Sequence, residues 1–102
     1  MAERDVAKVL LEGVEKLRGH YRRVRWLGRK GAPDLYLLLP MEVLPGRHDV
    51  WVETKAPRGV LNPHQRREIA LMRGFGIPVL VIRTIDEADE LIGLLAANRH
   101  VN

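Results

Sequence analysis

Apolar residues return at Val6, Leu10, Val14 and Leu17, steps of four, four and three that draw one stripe along a helix from Glu3 to Arg18. Gly19 is its expected stop. The pattern then changes. Tyr21, Val24 and Trp26 stand among arginines from Tyr21 to Leu27, as in a half-exposed strand, until the glycines and proline of GRKGAP break it. Asp34 to Leu39 and Asp49 to Lys55 read as two further strands, and MEVLPGRH joins them most simply as an antiparallel hairpin with a long loop. NPHQ has a helix-start signature, with Asn62 as N-cap, Pro63 in the first position and Gln65 in the third. That helix is expected to run to about Arg73 and end at Gly74 or Gly76. IPVLVI is a buried strand, and Thr84 or Asp86 opens a last helix carrying Ala88, Leu91, Ile92 and Leu95.

The order α-β-β-β-α-β-α predicts an α/β fold, a central mixed sheet flanked by helices, with residues 1–102 as a single domain that no repeat or linker divides. Hydrophobic residues at 46% and charged residues at 29% exclude the composition of disorder. The formal charge of +4 arises from arginine clusters, which favours a polyanionic partner. With no cysteine there is no disulfide, thiolate metal site or cysteine nucleophile. MAERDVAK lacks the apolar stretch of a signal peptide, and LYLLLP is far too short for a membrane span, so a cytoplasmic protein is expected.

The chemistry gathers in GAPDLY and in WVETKAP, whose glutamate follows the aspartate by nineteen residues. Strand alternation puts Glu53 and Lys55 on one side of the sheet, with Asp34 at the start of the neighbouring strand. Neighbouring carboxylates repel, and a divalent cation relieves that repulsion. Mg2+ suits such a site, since it takes oxygen ligands, keeps several waters and accepts substrate phosphate. Hydrolysis of a phosphodiester needs a nucleophilic water and neutralisation of the developing charge, which a metal supplies. Lys55 is a candidate for orienting the water or stabilising the phosphorane, and the backbone carbonyl of Thr54 is a candidate ligand. Taken singly, Pro-Asp is a turn pair and Glu-x-Lys a solvated charge pair; the joint spacing in a basic chain favours a site.

Two more residues bear on it. Glu3 shares the helical arc of Val6 and Leu10, either as a helix-dipole partner at a frayed end or as a third metal ligand. Gln65 shares a face with Ile69 and Met72, and serves either as the capping-box partner of Asn62 or as a hydrogen-bond donor to an active-site water, the lysine or a phosphate.

The runs ERDV, GRKGAPDLYLLLP, VWVETKAPRGVLNPHQRREI and MRGFGIPVLVI resemble the VRR-NUC nucleases, a branch of the PD-(D/E)xK superfamily that includes stand-alone phage proteins of about this length. The resemblance spans nearly the whole chain, from Glu3 to Leu95. It implies a restriction-endonuclease-like fold, a Mg2+ or Mn2+ site, and endonuclease activity on branched or Holliday-junction DNA by a homodimer. Asp34, Glu53 and Lys55 then fall on the central motif, Glu3 on the helix carboxylate and Gln65 on the glutamine after the lysine. Ala7 stands where similar phage sequences often carry a second acidic residue.

Arg22, Arg23, Arg25, Arg29 and Lys30 before the acidic motif, and Arg58, Arg66, Arg67 and Arg73 after it, are candidates for phosphate contacts, which give salt-dependent affinity blind to base sequence. Trp26 and Trp51 are expected in the core or an interface more than stacked on bases. His20, His48, His64 and His100 lack zinc-ligand spacing; His48 and His64 are expected in surface loops near the site. The competing readings are a non-catalytic DNA-binding module and an accessory subunit of a larger nuclease.

Overall fold

The computed structural model describes residues 3–44, 46 and 49–101, with side chains from Asp5 to Asn98 among them. The elements run α1 (Glu3–Lys16), β1 (His20–Arg23), β2 (Leu35–Leu38), β3 (Asp49–Thr54), α2 (Pro63–Gly74), β4 (Val79–Ile82) and α3 (Ile85–Val101), in the order the sequence predicts. The sheet order is β1-β2-β3-β4. The first three strands form an antiparallel meander, and β4 returns parallel to β3 after α2, so the sheet is mixed.

Alternation along the strands divides the sheet into two unlike faces. Leu35, Leu37, Val50, Val52 and Ile82 turn to one side, where Val6, Leu10 and Val14 of α1 and Ala88 and Leu95 of α3 bury them in the main core. Trp51, Val79 and Val81 turn to the other and meet Ile69 and Met72 of α2 in a smaller cluster. This second face is thinly covered, by a single helix over β4 and its neighbour, and it carries the charged residues of interest.

The ends of the elements show which local signals held. Asn62 caps α2 as expected: its side chain accepts from the Gln65 amide while the Gln65 side chain accepts from the Asn62 amide, each at 2.9 Å. Gly76, at φ +79, closes the same helix through Ile77 N–H to Met72 O and Gly76 N–H to Arg73 O. Thr84 rather than Asp86 caps α3, its hydroxyl accepting from the Glu87 amide at 2.9 Å. The end of α1 differs from expectation. Arg18, at φ 64, takes the left-handed position, with Gly19 N–H bonded to Val14 O. Gly19 is required for closeness instead, because a Cβ there would lie 2.7 Å from the carbonyl of Leu38.

Strand β1 is shorter than predicted, ending at Arg23 instead of Leu27. Trp26 leaves the strand direction to set its ring 5.1 Å from that of Trp51 and donate from Nε1 to Pro33 O at 2.7 Å. Gly28 and Gly31 then turn the chain with positive φ. No helix is long and apolar enough to cross a membrane among the described residues.

Candidate active site

The hairpin register decides where the acidic residues stand. Leu35 lies opposite Val52, so one step further along the same antiparallel register sets Asp34 beside Glu53. Directly opposed residues share a face and hold their Cβ atoms about 4.5–5.5 Å apart. Asp34 keeps the backbone extended just outside β2, its carbonyl accepting from Val24 N–H at 2.8 Å. Pro33 before it is fully buried and takes the Trp26 indole proton on its carbonyl, which anchors the turn into the strand.

Lys55 is one residue past β3, yet its N–H still donates to Ile82 O at 2.9 Å, so strand geometry persists and Lys55 stays on the face of Glu53. The following turn is held by Gly59 N–H to Ala56 O and by Arg83, whose guanidinium reaches Gly59 O at 2.7 Å. This turn delivers the chain to α2. From the first turn of α2, Gln65 donates from Nε2 to Glu53 Oε1 at 2.7 Å while its own oxygen completes the capping box. The capping-box alternative for Gln65 therefore holds, and the other end of its amide meets the Glu53 carboxylate, a partner not among the water, lysine or phosphate expected for it.

Glu53 is only 8% exposed, whereas Asp34 lies open to solvent. A carboxylate so buried costs several kcal/mol unless hydrogen bonds and cations offset it, and Gln65 supplies one such bond. The Thr54 side chain is buried on the opposite face, which leaves its backbone carbonyl as the atom relevant to a ligand. Glu3 opens α1, but its side chain lies outside those described. Among the described residues no group of three or more His, Asp or Glu forms a ready-made metal cage.

Residues 5–85 match the model of the VRR-NUC domain, most of the 102-residue chain. The chain belongs to the VRR-NUC family. A solved structure described as a VRR-NUC domain is 36% identical, and the superposition, with a TM-score of 0.76, covers 89% of this chain and 94% of that one. No curated protein matches the chain. Membership gives this VRR-NUC domain a nuclease-type fold with DNA as the substrate class, and the acidic pair sits where β2 and β3 part on its thinly covered face.

The basic residues of this VRR-NUC domain separate into groups. Arg29, Lys30 and Arg67 line one cleft together with Trp26, His64 and Glu68. Arg22 pairs across to Tyr36 and so shares the acidic face, whereas Arg23 pairs across to Leu35 and stands on the α1 face, away from Glu53. Arg25, Arg58 and Arg66 are exposed. Arg73 is exposed as well, and its Nε and Nη2 both donate to Val79 O, at 3.2 and 2.7 Å, tying α2 to β4. His64 belongs to the first turn of α2, not to a loop, and His48 and the His100 side chain lie outside the described residues.

Sequence reasoning missed two features that shape the site. Gly31, at φ +85, packs so closely on the start of α2 that a Cβ would come within 2.5 Å of the Gln65 amide nitrogen. The glycine is visible in the sequence, but nothing local announces its distant neighbour. The second is an aromatic ledge, Trp26 on Trp51 at 5.1 Å and Trp51 on Tyr36 at 4.5 Å, with the Tyr36 hydroxyl donating to Asp49 at 2.5 Å. Trp51 lies half-buried against α2, as expected, while Trp26 remains 37% exposed.

Proposed function

We propose that this VRR-NUC protein is a Mg2+- or Mn2+-dependent endodeoxyribonuclease that hydrolyses phosphodiester bonds in branched DNA, including four-way junctions. The observation that carries the reading is the convergence of Asp34, Glu53 and Lys55 on one sheet face, with Gln65 fixing the Glu53 carboxylate. The donor chemistry fits a hydrated magnesium ion: two hard carboxylates and a nearby backbone carbonyl, with the remaining positions left to water and phosphate. Asp34, Glu53 and the carbonyl of Thr54 would hold the ion, with Glu3 as a further candidate.

When bound, the cation neutralises charge on the phosphate and activates water. The chain's own groups do the rest. Gln65 prevents Glu53 from rotating away, so the carboxylate is already oriented before substrate arrives. Lys55 presents an ammonium to the reacting phosphate, where it stabilises the added negative charge of the phosphorane and orients the attacking water. Exposed Asp34 leaves one side of the site open to the DNA backbone. A homodimer would offer such a site to each of two strands, which is how the reading accommodates a junction.

The test is substitution. Asp34→Asn, Glu53→Gln and Lys55→Ala are each expected to lower cleavage of a labelled junction by at least about a hundredfold, the scale of losing a charge-stabilising or proton-handling group. DNA affinity should stay within about threefold of wild type, because the phosphate-facing arginines are untouched. Full cleavage by all three variants would overturn the site.

A further inference from the structure

Between α2 and the segment from Trp26 to Ala32 lie two adjoining clefts that the reaction just described does not use. One is basic, lined by Arg29, Lys30, His64 and Arg67 with Trp26 at its edge. The other is aromatic and apolar: Trp26 and Trp51 face Leu71, Met72, Phe75 and Ile77 around an open hollow of 460 Å3. Trp26, Arg29 and Glu68 border both, so the clefts are halves of one depression.

We propose that this depression holds one unpaired nucleotide beside the reacting phosphate, the base against the tryptophans and its phosphate on Lys30 and Arg67. The proposal rests on the nuclease reading above for its position relative to the chemistry. Trp51 precedes Glu53 by two residues on the same face of β3, about 7 Å along the strand, so the base pocket adjoins the acidic pair.

Charge and exposure together select the occupant. The Glu68 carboxylate is pinned to Arg29 at 2.5 Å, which leaves Lys30 and Arg67 outside any ion pair among the described residues and the rim positive. The hollow between them and α2 is ringed by apolar groups open to solvent, with Phe75 80%, Leu71 45% and Trp26 37% exposed. An apolar partner alone would cover the ring and strand the cations; a duplex backbone alone would meet the cations and leave the ring wet. A nucleotide freed from its stack satisfies both, since every base has an apolar π-face and carries a phosphate at its edge. Paired bases cannot enter, so the depression would favour DNA with unpaired nucleotides at a branch.

The chain has two tryptophans, and both line this hollow, so intrinsic fluorescence reports directly on it. Wild-type protein would be titrated in excess chelator, where nothing is cut, with oligothymidylate, with an abasic strand of equal length, and with blunt duplex. Oligothymidylate is expected to quench the emission and to bind about tenfold or more tighter than the abasic strand, the scale of one base stacked on an aromatic side chain. Duplex should leave the emission unchanged. Equal quenching by the abasic strand, or none by either strand, would overturn the proposal, as would a spectral change on simple dilution, which would mean that a second copy fills the hollow. Metal-dependent cleavage by the same preparation separates the two ideas: cleavage without base-dependent quenching removes the pocket alone, and quenching without cleavage removes the nuclease reading alone.

Discussion

At the scale of single residues, the site depends on how Glu53 is held. Gln65 places one end of its amide on the Glu53 carboxylate and the other on the Asn62 amide, so the proposed site assigns Asn62 a positioning role. Asn62→Ala should lower thermal stability by about 1 kcal/mol, as for loss of an N-cap, and reduce kcat more than it raises KM. Asn62→Asp, which keeps the acceptor for the Gln65 amide, should restore most of both; kinetics and thermal melts of the two variants decide it. A kcat that follows only the stability loss in both variants would reduce the capping box to a purely structural role. Asn62, Pro63 and Gln65 were legible in the sequence because a cap is written in four consecutive residues. The bond from Gln65 to Glu53 was not, since it joins segments twelve residues apart whose meeting depends on the crossover from β3 to β4.

At the scale of elements, the segment between β1 and β2 is held by the Trp26 bond to Pro33 O, which joins its two ends, and by the contact of Gly31 with the start of α2. The segment carries Asp34, so these contacts set one half of the acidic pair. Gly31→Ala puts a methyl group against backbone at a positive φ, and neither neighbour is a flexible side-chain tip that can yield. The variant should lose about 1–3 kcal/mol in denaturant unfolding and should cleave poorly even where it remains folded. Wild-type stability would show that the segment moves freely relative to α2. This explains why the strands were read correctly in order but not in length: alternation marks β2 and β3 well, while the end of β1 is imposed by Trp26 turning to reach Trp51. The arginines were likewise visible as a cluster, but only the register reveals that Arg22 and Arg23 stand on opposite faces.

At the scale of the whole molecule, charge and architecture agree. The sheet face packed by α1 and α3 holds the main core, and the face under α2 alone carries Glu53 and Lys55, with Arg22, Lys30, Arg66 and Arg67 exposed around the chain segments that frame it. Binding to duplex DNA in chelator should fall linearly on a double-logarithmic plot against salt, and Arg67→Ala should reduce the slope by about one. A slope unchanged by that variant would remove α2 from the DNA-facing surface, whereas Arg73→Ala should leave the slope alone and loosen the fold, since its guanidinium is committed to Val79 O. Metal-dependent cleavage of branched DNA is tested most directly by a time course with the wild-type protein on labelled four-way junction, flap and linear duplex, in magnesium, in manganese and in excess chelator. The expected result is cutting of the branched substrates in either metal, slower cutting of linear duplex, and none in chelator. Cutting that persists in chelator, or no cutting of any substrate by protein that binds all of them, would contradict it.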